Sequence, residues 1–276
     1  MNRLSLEDRA KIIGCLVEGV SMRATTRLVD VSINTVTKLL VDLGTACAIY
    51  QNEVMRKLPC KRVQVDEIFA FCHTKKKNLP KEMQGVLGRG DVWTWVAIDA
   101  DTKLVPSYLV GLRDAEYAKS FIGDLKSRLA NRIQLTSDGL KLYLKPVEDA
   151  FGAKVDYAML VKMYGPAYGD QQERRYSSGE CCGAIKGTVC GNPDGQHIST
   201  SFVERQNLSM RMGMRRFTRL TNGFSKKIEN HAHALAIYYM HYNFGRIHKS
   251  LRVTPAMEAG VSDHVWSLEE IAKLAN

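Results

Sequence analysis

The sequence predicts an α/β protein, in which a mixed sheet flanked by helices follows a small all-α unit. Apolar residues recur at helical spacing before residue 45, and from about residue 61 they alternate as in half-buried strands. Strand and helix patterns then follow one another along the chain. These changes predict four parts: a small helical domain, a linker, a large α/β domain and a tail, at residues 1–44, 45–60, 61–250 and 251–276.

The charge balance indicates a polyanionic partner. Lys and Arg number 39 against 29 Asp and Glu, a formal net charge of +10 over 276 residues. Nucleic acid fits this balance, because each neutralised phosphate releases counterions; a merely solvated basic surface is the alternative. No apolar run approaches the roughly 18 to 20 residues that span a bilayer, and no signal-peptide core opens the chain. We therefore expect a cytoplasmic protein without a membrane partner.

The cysteines do not suggest a disulfide framework. They number seven, an odd count, and their spacing is irregular. Cys181 or Cys182, with Cys190 and His197, could offer zinc ligands, but this cluster contains no Cys-x-x-Cys pair. Free thiols in a reducing cytoplasm are the better interpretation.

Three short helices are predicted in residues 1–44. Ser5, Ser21 and Ser32 stand where hydroxyl groups cap helix N-termini, and Gly44 stands where a glycine commonly ends a helix. The second and third helices flank a tight turn at Asp30, a residue that tolerates the left-handed conformation. This arrangement resembles the helix-turn-helix of many bacterial DNA-binding proteins.

The last of these helices would present polar residues that suit DNA. Asparagine can pair with an adenine edge, and lysine can contact phosphate. A plain three-helix packing unit is the alternative. The candidate DNA-binding residues of this helix are Asn34, Thr35, Thr37 and Lys38.

The order of elements in the larger domain narrows the fold. "KRVQVDEIFAFC", "VWTWVAIDA" and "LVPSYLVG" predict three antiparallel strands. A helix, the strand "RIQLTSDG", a short helix and the strand "KVDYAMLVKM" follow. This is the order of the RNase H-like fold, although several mixed α/β folds share parts of it.

Three acids are placed to converge in that topology. Asp66 lies within the first strand and Asp138 ends the fourth, which pairs beside the first. Glu204 lies on the later helix "STSFVERQNLSMRMGMRR", where Asn207 and Arg211 share its face. Clustered carboxylates repel unless divalent cations neutralise them, and their hard oxygens suit Mg²⁺. Two such ions would activate an attacking hydroxyl and stabilise a leaving oxygen in phosphodiester chemistry.

Other acids are interpreted as structural. Glu67 follows Asp66 directly and is expected on the opposite face of the strand. Asp99 and Asp101, in "DADTK", are interpreted as turn residues.

A polar, glycine-rich segment precedes the Glu204 helix. "YGPAYGDQQERRYSSGECCGAIKG" predicts a long loop, part of a longer loop over 165–198. We expect it to contact DNA near the acids through its basic residues, Arg174, Arg175 and Lys186.

The stretches "VQVDEIFAF", "LTSDG", "FVERQNLSMRMGMRRFTRLTNGFSKK" and "MHYNFGRIHKSLRVTPAMEAGV" together resemble a DDE transposase of the insertion-sequence-one family. The resemblance runs from about residue 60 to 262. It implies an enzyme that cuts the ends of a mobile element and joins them to target DNA with Mg²⁺, two ions, or Mn²⁺. It also implies that Asp66, Asp138 and Glu204 are the catalytic, metal-binding acids and that Arg211 is a basic DNA contact.

Partners and alternatives follow from the same resemblance. The partners would be double-stranded DNA, as element ends and target, and further copies of the chain; the setting would be the bacterial nucleoid. Better-known members have a cysteine-rich zinc element at the amino end. Paired cysteines are missing there in this sequence, so the helix-turn-helix would recognise the ends alone. The alternatives are a nuclease of the same fold without strand transfer, or a DNA-binding regulator with an inactive catalytic domain.

Overall fold

A computed structural model describes residues 4–165, 181–218 and 222–275. In these segments six strands form one mixed sheet in the order β3-β2-β1-β4-β5-β6. The strands are β1 (Arg62–Cys72), β2 (Gly90–Asp99), β3 (Ser107–Gly111), β4 (Ile133–Asp138), β5 (Val155–Tyr164) and β6 (Cys181–Cys190). The first three are antiparallel, and β4 and β5 run parallel to β1. This order confirms the predicted RNase H-like class.

Helices cover both faces of the sheet and precede it. The amino-terminal helices are α1 (Leu6–Val17), α2 (Met22–Val29) and α3 (Ile33–Val54). Those after β3 are α4 (Ala115–Arg128), α5 (Leu144–Phe151), α6 (Ser201–Gly213), α7 (Ile228–Met240), α8 (Pro255–Glu258) and α9 (Leu268–Lys273). None of the helices in the described ranges is both long enough and apolar enough to cross a bilayer.

The predicted caps of the first three helices are present. Ser5, Ser21 and Ser32 each accept a hydrogen bond from the backbone N–H three residues later. Asp30, in the turn between α2 and α3, has φ 53° and ψ 51°, the left-handed conformation expected of it. The turn geometry that the sequence predicted is therefore formed.

Helix α3 does not end at Gly44, and this part of the prediction is wrong. The helix continues to Val54, through most of the predicted linker. Gly44 is buried where α3 crosses α7, and a methyl group added to it would stand 2.4 Å from the Cβ of His233. The glycine therefore serves a close contact between two helices. The domain boundaries themselves stay a prediction.

The two faces of β1 pack against different helices. On one face, Gln64 accepts hydrogen bonds from the first backbone N–H groups of α6. On the other, the core under α4 is built around Trp95, whose ring lies 6.0 Å from Phe121 and 5.5 Å from Tyr143 between centroids. Alternate β1 residues are thus directed to α6 and to the α4 layer.

Two other segments differ from expectation. Residues 181–190 of the predicted loop form β6, an edge strand antiparallel to β5 that includes Lys186. Arg174 and Arg175 lie outside the described residues. The predicted tail contains α8 and α9, and α9 packs on α1, where Arg9 donates to the carbonyl of Ala272 over 2.5 Å. The seven cysteines all lie in described segments, and none forms a disulfide there.

Gly44→Ala tests the contact between α3 and α7. Alanine favours a helix over glycine by about 1 kcal/mol, so without the contact the change would stabilise the protein. The clash with His233 should instead lower the free energy of unfolding by about 1 to 3 kcal/mol. Urea unfolding measures this change.

Gly123→Ala, in α4, is the matched control. An added Cβ there meets no atom within 4 Å, so this variant should be unchanged or up to about 1 kcal/mol more stable. Equal stabilisation by both substitutions would contradict the assigned role of Gly44.

Candidate active site

Two of the predicted acids meet at one edge of the sheet. In the parallel pair of β1 and β4, Val65 lies opposite Ser137, and Asp66 and Asp138 follow that pair. Strand β4 ends at Asp138. Such carboxyl ends of parallel strands are where α/β sheets bind ligands. Carboxylate oxygens of Asp66, Asp138 and Glu67 all lie within 4.8 Å of one another.

Glu67 lies on the opposite face of β1 from Asp66, as expected, but its interpretation as a purely structural acid is wrong, because its carboxylate reaches this site. Strand alternation does direct it to the α4 face, where Arg113 Nε donates to Oε1 over 2.8 Å and the Tyr143 hydroxyl to Oε2 over 3.2 Å. However, β1 runs on past the end of β4, so beside Glu67 the neighbouring strand has already ended. Its carboxylate therefore reaches Asp138 around the end of β4.

Glu204 enters the site from α6. Its carboxylate accepts hydrogen bonds from the Thr200 hydroxyl, over 2.6 Å, and from the Lys162 ammonium, over 2.5 Å. It lies outside the group of three carboxylates within 4.8 Å, but its charge helps to raise the pKa of Asp66. Glu204 thus faces the same site and is held at its margin by Lys162.

Asn207 links the same helix to β1. It lies one turn after Glu204, and its Nδ2 donates to Oδ2 of Asp66 over 2.8 Å. Its position three residues beyond an acid, on the same helix face, is the signal that points to it. Lys162, at the end of β5, carries no local signal, since its pairing with Glu204 joins residues far apart in the chain.

Burial and like charge act together on the acids. Burial, with Asp138 and Glu204 nearby, raises the pKa of Asp66 to about 6. Burial and the charges of Asp138 and Asp66 raise the pKa of Glu67 to about 7, although Arg113 opposes the shift. Carboxylates with raised pKa values bind a positive charge tightly, and their hard oxygen atoms suit a divalent cation. Such a cation would neutralise the repulsion between the carboxylates. These carboxylates therefore form a candidate site for a divalent cation.

The predicted DNA-binding residues have their contacts in other parts of the protein. Arg211, two turns beyond Glu204, donates to the carbonyl of Phe217 over 3.2 Å. On α3, Asn34 is exposed and Lys38 pairs with Asp42 over 3.0 Å.

Other side chains on α3 and at the β2–β3 turn have structural contacts. Thr35 contacts the hydroxyl of Ser32 over 2.8 Å. Asp99 accepts from the Thr102 hydroxyl over 2.7 Å, as a turn residue does.

No family model and no curated protein matches this sequence. Three solved structures similar to part of it are of Mos1 transposase. The first is a paired-end complex with the left transposon end, with 14% identity, coverage of 56% of this chain and 60% of that chain, and a TM-score of 0.23. The second is a pre-cleavage transpososome, with 13% identity, coverage of 57% of this chain and 60% of that chain, and a TM-score of 0.22. The third is a strand transfer complex, with 13% identity, coverage of 86% of this chain and 78% of that chain, and a TM-score of 0.24. Similarity at this level carries no weight for function, which is inferred from the side chains of the site.

Asp66→Asn tests the repulsion. Folding raises the pKa of Asp66, so the folded protein binds this proton more tightly than the unfolded chain does. The stability that the protonated side chain contributes is therefore lost as pH rises through about 6. In EDTA at pH 8 the variant should melt higher than the wild type, by about 2 to 4 °C for each kcal/mol of relieved repulsion. The difference should shrink at pH 5.

The exposed Asp149, which pairs with Lys145, provides a control of the same chemistry. Asp149→Asn should leave the melting temperature within about 1 °C at both pH values. A lower melting temperature for Asp66→Asn at pH 8 would show that the carboxylates do not repel.

Proposed function

We propose that this protein is a DNA transposase that cleaves the ends of an insertion sequence and joins them to target DNA by metal-dependent phosphodiester transfer. One observation carries the proposal: the carboxylates of Asp66, Glu67 and Asp138 converge within 4.8 Å where the parallel pairing of β1 with β4 ends. The chain as a whole has a net charge of +10. The clustered acids suit a bound cation, and the net positive charge of the chain suits a polyanionic substrate such as DNA.

Asp66, Asp138 and Glu204 are the proposed catalytic acids. They would hold Mg²⁺, as two ions, or Mn²⁺, and these cations would supply Lewis-acid stabilisation of the attacking and leaving oxygens. Carboxylate oxygens are the protein ligands that these cations would use. Glu67 is within reach of the same cations.

The chain orients each carboxylate with its own hydrogen bond. Asn207 fixes Asp66, and Lys162 neutralises Glu204. The backbone N–H of Leu140 donates to Asp138 over 2.9 Å. These contacts come from separate elements, so the acids are positioned before a substrate binds. Arg211, about 10 Å farther along α6 than Glu204, is proposed to contact a DNA phosphate.

Helix α3 is proposed to recognise the ends of the element. Asn34 and Lys38 are exposed on its first turns, where a recognition helix contacts DNA, and Thr35 lies between them. The proposed partners are double-stranded DNA and further copies of this chain bound to it. The proposed setting is the bacterial cytoplasm, at the nucleoid.

Substitution of the acids tests the catalytic proposal. Asp138→Asn and Glu204→Gln should each reduce Mg²⁺-dependent cleavage more than about 100-fold, because each removes a ligand charge. The double variant should lose little more, since the acids act as a unit. The substrate is a plasmid carrying the DNA that flanks the gene on both sides, and Asp149→Asn is the control.

The products decide between the proposal and its alternatives. Cleaved ends joined to a second plasmid indicate a transposase, whereas cleavage without joining indicates a nuclease. Binding without cleavage by the wild-type protein indicates a regulator. Retention of cleavage by Asp138→Asn would contradict the assignment of the acids.

Substitutions on α3 test DNA recognition. Asn34→Ala should relax sequence preference, because asparagine reads an adenine edge. Lys38→Ala should weaken binding to all sequences and reduce the salt slope by about 0.9, the value for one phosphate contact. Affinities are measured by fluorescence anisotropy between 50 and 200 mM salt, a range in which such contacts weaken strongly.

Lys11 on α1 provides the matched control. It is an exposed helical lysine that pairs with Glu7 over 2.9 Å, as Lys38 pairs with Asp42 over 3.0 Å. Lys11→Ala should leave the salt slope unchanged. Equal effects of the two lysine substitutions would contradict a recognition role for α3.

A further inference from the structure

A groove of about 450 Å³ lies beyond the carboxylates, toward the end of β1. Aromatic and cationic side chains together line it. We name it the aromatic–basic groove and define it by Phe69, Phe71, Lys75, Lys76, Lys77 and Arg216.

A chain of contacts joins this groove to the carboxylates. Glu67 binds Arg113, whose guanidinium lies over the Trp93 ring at 4.7 Å from its centroid. Trp93 in turn meets Phe69 edge-on, with 5.3 Å between ring centroids. Phe69 and Trp93 are partly exposed, whereas Phe71 is buried. The groove therefore lies near the proposed catalytic site, and Phe69 is the aromatic side chain through which it meets solvent.

The cations of the groove lack acidic partners in the described segments. Lys75, Lys76 and Lys77 are exposed and form no ion pair there. Arg216 is half-buried, and its guanidinium contacts the Ser225 hydroxyl over 2.5 Å and the sulfur of Met22. A guanidinium taken partly out of water without a carboxylate favours an external anion.

The acidic residue that lines the groove, Asp91, is outnumbered by these cations. Three successive lysines and an arginine around an aromatic wall suit the phosphates of a nucleic acid strand and the π-face of a base. A fully paired duplex does not present such a face, because its bases are stacked on each other. An apolar protein segment would not need the cations.

We propose that the aromatic–basic groove binds an unpaired base and its neighbouring phosphates in the DNA strand that is cut at the carboxylates. The inference rests on the proposed function. Phe69 lies three residues beyond Asp66, about 10 Å along a strand, on the face of β1 that also carries Glu67. At about 3.4 Å per nucleotide of a strand, this distance places the base about three nucleotides from the reacting phosphate.

The test is binding of a single-stranded oligonucleotide in EDTA, so that no cleavage is needed. Phe69→Leu removes the ring but keeps an apolar side chain, and it should weaken single-strand binding about tenfold while duplex binding stays within about twofold. Phe69→Tyr keeps the ring and should retain the affinity. A 2-aminopurine base in the oligonucleotide should be quenched by the wild type and not by Phe69→Leu.

The lysines are tested together by salt dependence. Replacement of Lys75, Lys76 and Lys77 by Gln should lower the single-strand salt slope by about 2, since each single-strand phosphate contact contributes about 0.7. The control removes the same charge from three exposed lysines outside the groove, Lys145, Lys154 and Lys273. That control should change the slope by less than half as much.

Three results would overturn the inference. They are single-strand affinity of Phe69→Leu within twofold of the wild type, equal losses for single strand and duplex, and tighter binding of RNA than of DNA of the same sequence. The binding is measured in EDTA and requires no cleavage. A failure of the proposed cleavage would therefore leave this measurement able to support or contradict the groove.

Discussion

The parallel pairing of β1 with β4 is the constraint on which the rest of the site depends. Because Val65 lies opposite Ser137, Asp66 and Asp138 reach the same edge of the sheet. A shift of one residue in the pairing of β1 with β4 would turn one of the two side chains to the other face of the sheet. Strand β4 stops at Asp138 while β1 continues to Cys72, and this difference in length lets Glu67 reach the same carboxylates.

The fold holds these like charges together with contacts from several directions. Gln64 anchors the start of α6, and Asn207 on that helix binds Asp66. From the α4 layer, Arg113 and Tyr143 bind Glu67. Burial and the neighbouring like charges raise the pKa values of Asp66 and Glu67, so the fold opposes the ionisation of these carboxylates. The proposed divalent cation would offset this repulsion.

The same architecture connects the carboxylates to a surface suited to DNA. Arg113 binds Glu67 on one side and lies over Trp93 on the other, and Trp93 contacts Phe69. Phe69, which is partly exposed, lies on the strand that carries Asp66, on the face that also carries Glu67.

The sequence by itself determined what depends on local chemistry: the helix caps at Ser5, Ser21 and Ser32, the order of the first five strands along the chain, and the acids Asp66, within a strand, and Asp138, at a strand end. Tertiary structure decided the rest. A glycine that ends a helix and one that admits a crossing helix look alike in sequence, so Gly44 was misinterpreted. Alternation predicted the face of Glu67 but not where its neighbouring strand stops, and β6 pairs through backbone contacts that its exposed side chains do not reveal. Each of these outcomes depends on a neighbour distant in the chain, whose position only the folded structure sets.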